Sequence, residues 1–199
     1  MPVDLPCRLI LASASRDRRK LLAQAGYTFD VMPANIEEPR HAALGDCRHY
    51  VHDVAWRKAA AIAPTIDDGL ILAADTVGWY QGEVIGKPDD EADARRILRT
   101  LGGKVHELWT GVVLWKRPED WQIAWQEVSD CRVRDFSEVD LDAYIATGRW
   151  VGCSGGYAVE GPDDPYVQVV RGSLTNVIGL PMESLESMFR MIVGMMRSN

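Results

Sequence analysis

Residues 9–19 read LILASASRDRR, an apolar strand that runs into small hydroxyl residues and then into an arginine-rich helix start. A polyphosphate needs backbone N–H groups, hydroxyl donors and fixed positive charge converging at a helix N-terminus. Ser13 and Ser15 offer the hydroxyls, and Arg18 and Arg19 the charge. Ser15 is also the expected N-cap of a helix over residues 16–25, with Gly26 just past its end. The stretch therefore predicts a strand, a turn and a helix built around one small anionic ligand.

Away from this knot the chain is acidic. Of 199 residues, 22 are Lys or Arg and 29 are Asp or Glu, a formal net charge of −7. A general nucleic-acid surface is excluded on average charge, so phosphate binding must come from local clustering. The 47% hydrophobic and 26% charged residues are those of an ordinary globular chain, long enough for one substantial core arranged as two lobes. We read residues 1–199 as a single domain. No apolar run reaches the roughly 20 residues of a membrane span. The N-terminus, MPVDLPCRLI, lacks the pattern of a signal peptide, so a cytoplasmic protein is expected. Cys7, Cys47, Cys131 and Cys153 are scattered, as reduced thiols would be.

Strands are expected at residues 7–12, 27–32, 70–80 (interrupted by Asp75 and Thr76), 83–85, 105–115, 121–133, 157–159 and 166–170. Helices are expected at residues 47–63, ending at Pro64, after Asp89 or Asp90 as far as Gly102, and from Ser137 with Asp140 completing a capping-box-like pattern. In a last helix Leu185, Met188, Phe189, Ile192, Val193 and Met196 form one apolar stripe, for the core or a dimer face. The fold class is α/β, a mixed twisted sheet with flanking helices.

Asp75 stands at the expected end of an apolar strand, and GEVIGKP at 82–88 can bring Lys87 back beside it after a tight turn. A carboxylate and an ammonium near a phosphate-binding helix suit metal-assisted hydrolysis, with Mg²⁺ bridging carboxylate and phosphate oxygens. Glu37 and Glu38 could add a second acid opposite Asp75. Lys58 either reaches a phosphate or is an exposed helical lysine, and its context favours the second. His41, His49, His52 and His106 lack zinc-ligand spacing. Trp109, Trp115, Trp121 and Trp125 belong to a long hairpin, where packing is the ordinary use. P-loop, dinucleotide-fold and nucleophile-elbow motifs are absent.

Seven segments, in order, resemble the Maf family of nucleoside triphosphate pyrophosphatases, relatives of the inosine-triphosphatase (Ham1) fold. They are LASAS…RR at 11–19, NIEE at 35–38, AADTV at 73–77, GEVIGKP at 82–88, HELWTGV at 106–112, GGYAVEG at 155–161 and TNVIGLP at 175–181. The resemblance implies two lobes around a central cleft, and hydrolysis of a nucleoside triphosphate to monophosphate and pyrophosphate with Mg²⁺ or Mn²⁺. It implies Asp75 as the acceptor that activates water, with Asp75 and Glu38 facing the metal. Ser13, Ser15, Arg18, Arg19, Lys58 and Lys87 lie on the phosphate side. It also implies a homodimer and a house-cleaning role, and its members are described as septum-formation inhibitors. The alternative is a slow or inactive nucleotide-binding regulator of cell division acting through a protein partner. Three departures stand out. Arg16 and Asp17 replace the usual proline and first arginine of the turn, Glu160 resembles the methyl-GTP branch, and Thr76 resembles the dTTP/UTP branch. The two selectivity positions disagree, leaving the base open.

Overall fold

The computed structural model describes residues 1–38 and 46–197; His41 lies outside them. Within these residues the elements are β1 (Leu9–Leu11), α1 (Arg16–Gln24), β2 (Asp30–Val31), α2 (Cys47–Ile62), β3 (Gly69–Tyr80), β4 (Glu83–Ile85) and α3 (Glu91–Leu101). The chain continues as β5 (Val105–Arg117), β6 (Gln122–Val133), α4 (Glu138–Ala146), β7 (Val167–Arg171), α5 (Leu174–Ile178) and α6 (Met182–Arg197). The described strands form one mixed sheet in the order β2-β1-β3-β5-β6-β7, with β4 paired to β3. β1 runs parallel to β2 and β3, and the remaining pairs are antiparallel.

One edge of β3 forks. β5 pairs along the whole of the other edge, from Gly69 to Trp79. On the forked edge β1 takes Leu70–Leu72 and β4 takes Gly78–Tyr80. Residues 73–77 are left between the two partners, and Asp75 and Thr76 sit in that gap. Such a split opens a crevice in the sheet, where ligands of open α/β folds settle.

Side chains alternate across β3, and the two faces are packed differently. Leu70, Leu72 and Ala74 face the core that contains Leu21, Leu22 and Phe189 of α1 and α6. Ile71 and Ala73 face Ala55, Ala59 and Ile62 of α2, and Val77 faces Tyr50, Val51 and Val54 of the same helix. A second core gathers Ala94, Ile97 and Leu98 of α3, Leu141 and Tyr144 of α4, and the far ends of β5 and β6. Ile178 packs against both this core and that of α1 and α6, so the long strands carry two lobes.

Several expectations are corrected. β3 is continuous through Asp75 and Thr76, because the ladder to Gly111 and Thr110 carries on past them. The strand expected at residues 27–32 pairs only at Asp30 and Val31. The segment 157–159 is not a strand. Its backbone is held by side chains, with Ala158 N donating to Tyr144 Oη and Glu160 N to Asp164 Oδ2. A short helix was missed, α5, capped by Ser173 Oγ accepting from Thr175 N and Asn176 N. The N-cap expected at Ser137 is present, with Ser137 Oγ accepting from Asp140 N, but the Asp140 carboxylate accepts from the Ser137 hydroxyl rather than from its backbone N–H. Among the described residues no helix is long and apolar enough to cross a membrane.

Candidate active site

β1 ends at Leu11, and Ala12 N still donates to Leu72 O across the sheet. The chain then turns into α1, capped by Ser15 Oγ accepting from Arg18 N at 3.3 Å. A helix start leaves its first N–H groups without intrahelical partners, and residues 12–18 form one end of a cleft of about 1020 Å³. Residues 148–149, 151–154 and 157–160 line the same cleft.

Arg18 is 8% exposed and anchors this end. Its Nε donates to Gly179 O at 2.7 Å, Nη1 to Ser13 Oγ at 3.2 Å and Nη2 to Thr76 Oγ1 at 3.0 Å. The Gly179 carbonyl is presented by the end of α5, and Thr76 Oγ1 lies 2.9 Å from Thr110 Oγ1. Of five guanidinium N–H donors, these bonds use three. Desolvation pulls the Arg18 pKa below its ordinary value, and the charges of Asp75, Glu38 and Asp17 pull against it.

Asp75 is 4% exposed and lies on the face of β3 that α2 covers. Lys58 meets it there, with Nζ 2.7 Å from Asp75 Oδ1 and 2.7 Å from Glu38 Oε1. Lys87 Nζ lies 3.5 Å from the other oxygen of Glu38, Oε2. Burial pushes the Glu38 pKa up, but the charge and hydrogen bond of Lys58, then those of Lys87, outweigh it and leave the carboxyl below its usual range. Lys87 arrives by the tight turn between β3 and β4. Gln81 and Gly82 both have positive φ there, 51° and 88°, the backbone of a two-residue hairpin turn.

Every residue expected at the site lines this cleft except Arg19 and, of the two candidate acids, Glu37. Arg19 instead turns back on the helix start, its Nε 3.4 Å from Ser15 O and its Nη2 3.4 Å from Ala14 O. Lys58 is buried and paired, not the exposed helical lysine that its context favours. Lys87 meets Glu38 in place of the expected Asp75. The Thr76 hydroxyl is taken up with Arg18 and Thr110. Asp17 lines the cleft, and its charge helps burial push the facing Cys153 thiol up to about 11. Glu160 also lines the cleft, with its side chain 71% exposed, 3.4 Å from Arg149 Nε.

Sequence reasoning missed Arg149, which fastens that segment. Its Nη2 donates to Asp164 Oδ2 at 2.6 Å and to Ala158 O at 2.9 Å. It also missed Ser154, whose Oγ donates to Thr76 O at 2.7 Å, beside the gap in β3.

A family model described as Maf-like protein matches residues 8–192. A dTTP/UTP pyrophosphatase of Cereibacter sphaeroides is 41% identical over 176 residues, 87% of this chain and 89% of that protein. A protein of the same description from Dictyoglomus thermophilum is 37% identical over 180 residues, 90% of this chain and 93% of its own length. Among solved structures, a nucleoside-triphosphatase / dITP/XTP pyrophosphatase from Mycobacterium abscessus aligns over 96% of both chains with 14% identity and a TM-score of 0.43.

Proposed function

This chain belongs to the Maf-like family, and on that premise we propose that it hydrolyses a nucleoside triphosphate to the monophosphate and pyrophosphate. The observation that carries the reading is one cleft lined both by the capped start of α1 and by the Glu38–Lys58–Asp75 row. The start of α1, Arg18 and the ammonium of Lys87 hold the triphosphate. Asp75 accepts the proton of an attacking water, with its position fixed by the β3–β5 ladder rather than by a loop. Lys58 and Lys87 offset charge developing on the departing pyrophosphate. Thr76 acts through Arg18, holding its guanidinium flat against Ser13 and Gly179.

The donor set fits a divalent cation. Two hard carboxylates converge on one point, and Mg²⁺ is ordinarily held by one or two carboxylates together with substrate phosphates. No group of three metal-binding side chains occurs among the described residues, so the phosphates would complete the shell. Glu38 and Asp75 would hold Mg²⁺ or Mn²⁺, which when bound neutralises phosphate oxygens. The substrate we favour is the dTTP/UTP class that the relatives' descriptions name, and the family resemblance supports reading the enzyme as cytoplasmic, homodimeric and house-cleaning.

Pyrophosphate release from a panel of pyrimidine and purine triphosphates, with Mg²⁺ and with Mn²⁺, tests the reading. Release from dTTP and UTP is expected. Binding without release from any triphosphate would favour the second reading, a slow nucleotide-binding regulator of cell division, for which the Asp17 carboxylate in the cleft is the supporting observation.

A further inference from the structure

Lys58 stands between Glu38 Oε1 and Asp75 Oδ1, where a cation bridging those two oxygens would stand. Its ammonium touches both carboxylates at 2.7 Å, and the residue is only 8% exposed. The stem rises from the buried stripe of α2, between Ala55 and Ala59, so the head is held there from behind. The other oxygen of Glu38 is approached by Lys87. An ammonium and a dication cannot share the space between the same two oxygens, since contact leaves no room and like charges repel. An ammonium lifted from that pair would need another anion, because an isolated buried charge is costly. Among the described residues the cleft offers such an anion the start of α1 and Arg18.

We propose, on the pyrophosphatase reading above, that Lys58 is a displaceable cation. It keeps the Glu38–Asp75 pair closed to metal until a triphosphate arrives to receive the ammonium. The two carboxylates then pass from Lys58 to the metal while Lys58 passes to phosphate. Metal and nucleotide bind cooperatively, and metal alone binds weakly.

The test is Mn²⁺ binding to the full chain without nucleotide, read from the electron paramagnetic resonance of free Mn²⁺. Lys58→Met keeps the stem and removes the charge, and is expected to bind Mn²⁺ about tenfold more tightly than the wild type. Lys58→Arg, which keeps a cation, is expected to show no gain. Equal or weaker Mn²⁺ binding by folded Lys58→Met overturns the proposal. The wild type decides independently if that variant does not fold. The ¹⁵Nζ resonance of Lys58 should stay in place with millimolar Mg²⁺ alone and move when an α,β-methylene triphosphate is added with it. Movement with Mg²⁺ alone overturns the proposal. The Mn²⁺ comparison uses no nucleotide, so failure of the analogue to bind would count against the pyrophosphatase reading and leave that comparison standing.

Discussion

Replacing Gly111 by alanine should damage the site from behind. Gly111 lies directly opposite Asp75 in the β3–β5 ladder, under α2. A Cβ there would stand 2.4 Å from Val51 O, 2.5 Å from Val51 C and 2.9 Å from His52 N. These obstacles are helix backbone, which cannot rotate aside as a side chain can. Ordinary contact begins at 3.4 Å, so α2 must retreat by about 1.0 Å (3.4 − 2.4). Overpacking of a close-packed interface costs about 1–3 kcal/mol, and a backbone obstacle puts this site near the top of that range. Lys58 lies seven residues, about two helical turns, beyond Val51 on the same buried stripe, so the retreat displaces its ammonium within the cleft. A misplacement of about 1 Å among catalytic groups can cost about a hundredfold in rate. Urea unfolding and the kcat for pyrophosphate release measure the two effects on one preparation. A folded variant about 3 kcal/mol less stable and about a hundredfold slower is expected. Wild-type stability together with wild-type turnover would refute the claim that α2 seats Lys58 through contact at Gly111.

Three further outcomes follow from single groups. Asp17→Asn removes a carboxylate from the phosphate end of the cleft and should lower KM for triphosphate about two- to fivefold, less so at high salt; an unchanged KM at low salt would count against it. Glu160→Gln should raise the preference for pyrimidine over purine triphosphates in the ratio of kcat/KM values, and an unchanged ranking would remove Glu160 from base recognition. His106 is 3% exposed, with Nε2 2.5 Å from Tyr157 Oη, and burial holds its pKa down to about 4 from 6.5. Its folded pKa is the lower one, so the unfolded chain binds more protons across this window. The stability it contributes is complete above pH 6.5 and falls by about 3 kcal/mol as pH drops to 4. His106→Gln should flatten that part of the stability–pH curve, and an unaltered slope in urea unfolding would refute the assignment.

The strand–turn–helix at residues 9–19 was legible because apolar run, N-cap and terminal glycine all agree there. The long hairpin was legible from its length and alternation. Asp75 and Thr76 misled as a strand break, since a carboxylate is costly in a buried ladder unless a distant residue answers it, and Lys58 is that residue. Lys58 itself left a signal: it falls on the stripe of Val51, Val54, Ala55, Ala59 and Ile62, the spacing of a buried helix face. A lysine on such a stripe requires a buried anion. Arg19 could not be separated from Arg18 by composition, because one step of 100° around a helix takes a side chain out of the cleft. The alternation at 157–159 is real, with Tyr157 and Val159 buried, but Tyr144 and Asp164 supply hydrogen bonds that a neighbouring strand would have supplied. Arg149 and Ser154 carry no motif of their own, and only the folded chain brings them to the cleft.

The most direct test of the account compares the wild type with Asp75→Asn in one experiment, measuring pyrophosphate release from dTTP and UTP alongside calorimetric binding of the α,β-methylene analogue. Release by the wild type, a loss of about 10³-fold in kcat for the variant, and analogue binding that stays within a few-fold are expected. Undiminished release by Asp75→Asn, or a lost analogue affinity that by itself explains the lost rate, would contradict the assignment of Asp75 as the group that activates water.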